Sequence, residues 1–193
     1  MKKMLLILAL AMFSFANAQK GTILVGGNIG YTSSNRDFLT SNEKYRDFGL
    51  SPKVGYQFHD NWTVGGEFSI GSSRTEIEGK MTGKANNFKA GAFLRYSVPL
   101  TETFSVFADL GAGFQNQKRT VTSVDAENEF KGDGFYTAIT PALFINMKKG
   151  FGLNFSIGGI GYQTWSFDNE GQKNKEFNFN FGKTVNIGIS KNF

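Results

Sequence analysis

The chain has 193 residues, of which 40% are hydrophobic and 19% charged, with 24 Gly, 21 Phe, 3 Pro, no Cys and a formal net charge of +5. That length is one domain at about 150 residues per domain, and the composition is not that of a disordered chain. Without Cys there is no disulfide framework, thiolate metal site, cysteine nucleophile or lipid-modified N-terminal cysteine, and so small a charge gives no electrostatic footprint for nucleic acid.

The chain begins with a removable segment. Lys2 and Lys3 form a positive n-region, residues 4–15 an apolar h-region, and Ala16-Asn17-Ala18 a small-x-small cleavage site before Gln19. Residues 1–18 are read as a secretory signal peptide and residues 19–193 as the mature domain, whose charge without the two lysines falls from +5 to +3. The apolar run is shorter than the roughly 20 residues of a membrane helix. No later stretch is continuously apolar, and the mean hydropathy is −0.26. A helical membrane span is therefore excluded.

From Gly21 onward apolar residues recur at period two, the pattern of a strand with a different environment on each face. The apolar faces run through residues 23–31, 48–58, 62–70, 88–98, 104–114, 135–147, 151–157 and 177–193. In the clearest case Phe48, Leu50, Pro52, Val54, Tyr56 and Phe58 alternate with Asp47, Gly49, Ser51, Lys53, Gly55 and Gln57. Eight strands result, read as long enough to cross a bilayer at a tilt, which takes about 9–11 residues.

The connections alternate in length. His59-Asp60-Asn61, Thr101-Glu102-Thr103 and Lys148-Lys149-Gly150 read as tight turns, and residues 34–45, 72–86, 116–132 and 168–175 as long polar loops. Short turns on one side and long loops on the other describe an all-β, eight-stranded antiparallel up-and-down transmembrane barrel. An even strand number puts both termini on the short-turn, periplasmic side, with the long loops extracellular. A secreted barrel of the lipocalin type would show the same alternation with its apolar face inward. Volume decides against it. An eight-stranded interior is only just wide enough for its side chains. The apolar set is dominated by Phe, Leu, Ile, Val and Tyr, whereas the opposite face carries Gly26, Gly30, Gly49, Gly55, Gly65, Gly91, Gly111 and Gly113 among Ser, Thr and Asn.

The tight turns fix hairpin register. Pairing Phe58 with Trp62 sets Lys53 opposite Glu67, and pairing Leu100 with Phe104 sets Arg95 opposite Asp109, all four facing inward. Phe93, Phe107, Tyr136 and Phe144 share that face, and Lys89 and Asp47 complete a set of three positive and three negative charges. Two readings are open for the pairs Lys53–Glu67 and Arg95–Asp109. They either satisfy one another in a closed lumen or form a gate whose ion pairs exchange partners.

At this point the sequence resembles the small eight-stranded outer-membrane barrels of Gram-negative bacteria, the group containing outer membrane protein X and the OmpA transmembrane domain. The resemblance covers the mature chain as a pattern and is most specific at residues 186–193. There Asn186, Gly188 and Phe193 fit the family's polar-x-Gly-x-x-apolar-x-aromatic assembly signal, and Lys191 stands where the pattern wants an apolar residue. The resemblance implies export, insertion by the barrel-assembly machinery, surrounding outer-membrane lipid and lipopolysaccharide, and a monomer. It also leads to the expectation that no peptidoglycan-binding or plug domain accompanies the barrel.

Weaker signals complete the reading. Trp62, Phe104, Phe151 and Phe193 form an aromatic girdle near the short turns, and Trp165, Phe167, Phe177 and Phe179 one near the loops. Lys183 falls on the lipid-facing parity unless a bulge at Gly182 turns it inward. Some barrels of this group are lipid-modifying enzymes that use a histidine near the outer leaflet, but His59, the sole histidine, lies in a short turn on the other side. The loop acids Glu76 and Glu78, or Asp125, Glu127 and Glu129, read as solvated charges among Arg74, Lys80, Lys118, Arg119 and Lys131 rather than as a metal site. Residues 26–30 (Gly-Gly-Asn-Ile-Gly) lie within a strand and form no nucleotide loop. The sequence thus points to a non-enzymatic barrel without catalytic, cofactor-binding or metal residues, closed by lumen salt bridges. Its expected role is structural or one of surface interaction through its loops, with an extracellular partner that the loops do not identify. A low-conductance ion or small-solute channel is the alternative.

Overall fold

The computed structural model describes residues 21–38, 41–122, 126–168 and 173–193, so the signal-peptide assignment and Asp125 lie outside the described residues. Eight strands follow one another: β1 (Ile23–Asp37), β2 (Asn42–His59), β3 (Trp62–Ile77), β4 (Lys80–Pro99), β5 (Phe104–Thr122), β6 (Glu127–Lys148), β7 (Phe151–Phe167) and β8 (Lys173–Asn192). Each pairs antiparallel with the next, and β1 with β8 closes the sheet into a barrel.

The barrel is inside out relative to a water-soluble protein. Leu24, Phe93, Phe107 and Ala142 are the buried apolar residues among those described, whereas Ile29, Phe114, Phe177 and Phe179 are 71%, 76%, 69% and 65% exposed. Burying an apolar side chain of this size is worth about 1.5–3 kcal/mol. An outward face built from such residues is therefore stable only against hydrocarbon. Closure satisfies the backbone without a helix, which is the other way a chain can cross lipid.

The tight turns fall where the alternation breaks: Asp60-Asn61, residues 100–103, and Lys149-Gly150, the last with positive φ at both positions. At the middle turn the Thr101 hydroxyl accepts from the backbone N–H groups of Thr103 and Phe104. At the first, His59 rather than Phe58 pairs with Trp62. A bulge between Gln57 and His59 absorbs the extra residue, and Lys53 remains opposite Glu67.

Three of the segments read as long loops, residues 34–45, 72–86 and 116–132, are mostly strand, and β8 begins within the fourth at Lys173. β1 and β2 stay paired out to Asp37 and Asn42, β5 and β6 to Thr122 and Glu127, and β7 and β8 to Ser166 and Lys173. Between β3 and β4 only Glu78 and Gly79 remain, at φ 52° and 76°. Positive φ at both central residues is the hairpin turn that matches strand twist. The physical reason for the correction is that ladder hydrogen bonds need no apolar alternation. The period-two signal marks the height of the lipid-facing band, and the strands continue past it with polar residues.

A second correction concerns β7. Ile157 is 41% exposed on odd parity, but Ile160 and Tyr162, at 40% and 38%, continue the outward face on even parity. The flip occurs at Gly158-Gly159, where Ile139↔Ile160 gives way to Ala142↔Ser156 on the β6 side. Trp165 and Phe167 consequently take the inward parity, and Phe167 lies against Gly132 rather than in the outer girdle. On β8, residues 182–185 stand opposite Ile157 alone and Gly182 has φ 71°, so the backbone does bulge next to Lys183.

Candidate functional site

The barrel interior at mid-height gathers charges from β2 to β5. The ladder puts Lys53 opposite Glu67 and Arg95 opposite Asp109. Lys53 Nζ lies 3.0 Å from Glu67 Oε2, and Arg95 Nε donates to Asp109 Oδ1 at 2.6 Å. The same Lys53 Nζ also donates to Asp109 Oδ2 at 2.9 Å, while Arg95 Nη2 reaches that oxygen at 3.0 Å. The two pairs are therefore one chain, Glu67–Lys53–Asp109–Arg95, spanning non-adjacent strands. Glu67 is fixed at its free end by Tyr136, whose hydroxyl donates to Oε1 at 2.9 Å.

Aromatic rings enclose this chain. The Arg95 guanidinium lies 3.7 Å from the Phe107 ring centroid, and Lys53 Nζ lies 5.1 Å from that of Phe93. Glycines make room for the bulk. A Cβ on Gly111 would stand 2.5 Å from Glu67 Oε1, one on Gly91 2.5 Å from the Tyr136 hydroxyl, and one on Gly65 2.8 Å from Phe93. At Gly111 the lumen side chain Glu67 is the nearest obstacle, whereas at Gly65 and Gly91 the neighbouring strand's carbonyl oxygens of Val54 and Ala112 stand closer still.

Of the remaining interior set, Lys89 sits over the Tyr136 ring at 5.3 Å, and Phe144 lines the short-turn mouth of the lumen. Asp47 lies two positions beyond Gly49 on β2, toward the hairpin tips and away from the four-charge chain. Two contributors escaped sequence reasoning. Leu24 is only 4% exposed inside the barrel although it stands alone on the inward face of β1. The Lys53–Asp109 contact joins strands that are not neighbours, and no hairpin register reports on it. The one available signal was that both pairs sit at similar heights above their turns.

Two cavities flank the chain. One of about 60 Å³ reaches up to Asn154, Ser156 and Asn186, and one of about 190 Å³ opens past Gln57, Asp60 and Asn192 toward the short turns. Arg95 and Phe107 line both.

The assembly-signal residues lie on both faces. Asn186 lines the upper cavity, Gly188 is buried against the Asn28 side chain, and Phe193 exchanges backbone hydrogen bonds with Ile23 at 3.0 and 3.1 Å. Beyond the membrane band, Arg46 pairs with Glu76 at 3.1 Å, and Glu129 bridges Lys118 at 2.6 Å and Lys131 at 3.2 Å. Hydrogen bonds from Lys118, then from Lys131, hold the Glu129 carboxyl below its usual range. His59 is exposed beside the short turn, across the membrane from these acids.

A family model for the outer membrane protein β-barrel domain matches residues 4–193. Among solved structures the chain is similar to the outer membrane protein OprG from Pseudomonas aeruginosa, at 14% identity and a TM-score of 0.49 over 90% of this chain and 96% of that one. It is also similar to Ail of Yersinia pestis, at 18% identity and a TM-score of 0.44 over 90% and 97%. Neisserial surface protein A gives 10% identity and a TM-score of 0.44 over 91% and 98%. No curated protein matches the sequence.

Proposed function

The chain belongs to the outer membrane protein β-barrel domain family, and from that premise we propose a non-enzymatic barrel whose lumen is closed by its own ion pairs and whose polar hairpins meet a partner at the cell surface. It is an integral protein of the Gram-negative outer membrane, surrounded by that membrane's lipid. The observation that carries closure is the shared Asp109 carboxylate, which accepts from both Lys53 and Arg95 and so ties two hairpins together across the lumen. Pairs satisfied this completely have little to gain from exchanging partners. The hairpins above the membrane carry charges of both signs, a surface suited to a polar or charged extracellular ligand. The lone histidine at a periplasmic turn supports the absence of hydrolytic chemistry on the outer side.

Export and assembly follow from the same reading. Residues 1–18 are the signal peptide, so the protein recovered from outer membranes is expected to begin at Gln19 on N-terminal sequencing. Asn186, Gly188 and Phe193 are the residues presented to the barrel-assembly machinery.

Single-channel recording in a planar bilayer tests closure, with folding checked by the gel shift between boiled and unboiled samples. The wild type is expected to be silent. Glu67→Ala with Asp109→Ala, which leaves Lys53 and Arg95 unneutralised, is expected to give anion-selective steps. Resolved steps from the wild type, or silence from the folded double variant, would reject closure by these pairs. The former result would favour a low-conductance channel, a reading supported by the two cavities that share Leu24, Arg95, Phe107 and Ser190 as lining.

A further inference from the structure

Among the described residues the shortest ladder of the barrel is the one that closes it, the β1–β8 seam. β1 and β8 pair only from Leu24–Gly27 to Ile189–Asn192, plus the Ile23–Phe193 bonds, whereas β4 and β5 stay paired from Gly83 to Pro99. Above Gly27 and Ile189 no ladder pair joins the two edges among the described residues. On the lipid-facing side a groove of about 480 Å³ opens along this seam, lined by Val25, Ile29, Leu50, Pro52, Ile189 and Phe193. Its floor is Gly26-Gly27, the unexplained glycine run of the first strand, which also borders the upper lumen cavity. Gly27 stays a glycine because a Cβ there would meet the Ser51 carbonyl oxygen at 2.6 Å.

A cation stands at the short-turn end of this apolar groove. Lys191 is paired in register with Val25, is exposed, and has its Nζ 4.4 Å from the Phe193 ring centroid. Among the described residues no carboxylate lies within ion-pair distance of it. Lys148 and Lys149 lie at the adjoining turn, which the Asn192 N–H holds against β8 by donating to the Gly150 carbonyl at 3.0 Å. From Val25 to Ile29 the groove follows four residues of strand, about 13 Å, upward from headgroup depth into hydrocarbon.

We propose that this groove is a binding site for an anionic phospholipid of the inner leaflet, with one acyl chain along the β1–β8 seam and the phosphate on Lys191. The departure of Lys191 from the apolar consensus of the assembly signal then has a use in the folded protein. A second copy of the chain is a poorer occupant, since a two-fold contact here would set Lys191 against Lys191. The site does not depend on whether the lumen conducts.

Native mass spectrometry of the refolded, delipidated protein tests the proposal, with a phosphatidylglycerol and a diacylglycerol of the same chains as probes. The wild type is expected to retain one phosphatidylglycerol. Lys191→Gln should lower that retention about five-fold, the worth of one lysine near an anionic surface. Val25→Trp, which fills the groove and keeps the lysine, should abolish it, and diacylglycerol should not distinguish wild type from Lys191→Gln. The proposal is overturned if either folded variant retains phosphatidylglycerol as the wild type does, or if the dominant species is a lipid-free dimer.

Discussion

Asp109 sits between two cations with its side chain only 6% exposed, against 15% for Glu67. Removing one member of a buried charge network leaves the others uncompensated, at a cost of about 3–5 kcal/mol. Asp109→Ala is therefore expected to lower unfolding stability by about that amount in a urea titration in detergent. Glu67→Ala should cost less, because Lys53 keeps Asp109 as a partner. A larger loss from Glu67→Ala would move the centre of the network to the Tyr136 side. At the opposite extreme, Glu129 is a surface acid whose carboxyl is held below its usual range by Lys118 and Lys131. A depressed carboxyl favours the folded state above its ordinary value and loses that contribution as pH falls through the lowered one. Its NMR titration midpoint is expected below 4.5 and should return to the ordinary value in Lys118→Gln with Lys131→Gln. The sequence revealed each hairpin's facing pair because a tight turn fixes who stands opposite whom. The Lys53–Asp109 link stayed hidden because it depends on strand tilt and stagger around the closed barrel, which no local pattern encodes.

At the scale of elements, period two located all eight strands because lipid imposes the alternation on every outward face. It lost them where lipid ends, and so the polar ends of β5 and β6, which carry Lys118 and Glu129, and of β3, which carries Glu76, read as loops. It also lost the parity of β7 at Gly158-Gly159, since two glycines carry no hydrophobic signal with which to show a flip. The bulge has a definite requirement. Gly158 has φ 116°, and a Cβ there would collide with the Asn180 carbonyl oxygen, whereas a Cβ on Gly30 would meet nothing within 4 Å. Backbone strain of this kind costs on the order of 1–3 kcal/mol before any clash is counted. Gly158→Ala is accordingly expected to reduce the fraction that refolds to the heat-modifiable form, and Gly30→Ala to leave it unchanged. Equal refolding of the two would show that β8 can move aside and that the bulge imposes no sequence requirement.

Across the whole molecule the chain's first and last strands are its least committed neighbours. In lipid each backbone N–H must find a partner within the protein or through water, which makes a short ladder in a barrel wall a local weakness. Residues of β1 address β2 and β8 alternately. Ile23 donates to the Phe193 carbonyl of β8, so Val25, Gly27, Ile29 and Tyr31 address the same side, the last two above the end of that ladder. Gly30 and Thr32 address β2, whose ladder with β1 continues to Asp37 and Asn42. Amide hydrogen exchange in micelles should therefore alternate along this strand. Ile29 and Tyr31 are expected to exchange faster than Gly30 and Thr32, and the four corresponding amides of a fully paired strand such as β5 should be uniformly slow. Added phosphatidylglycerol should slow Ile29 if an acyl chain covers the seam, and should not do so in Lys191→Gln. Uniform protection along β1 without lipid would mean that β8 zips further up than Gly27. The groove would then close, leaving the lumen network intact but removing the opening along which an acyl chain could lie between the first and last strands.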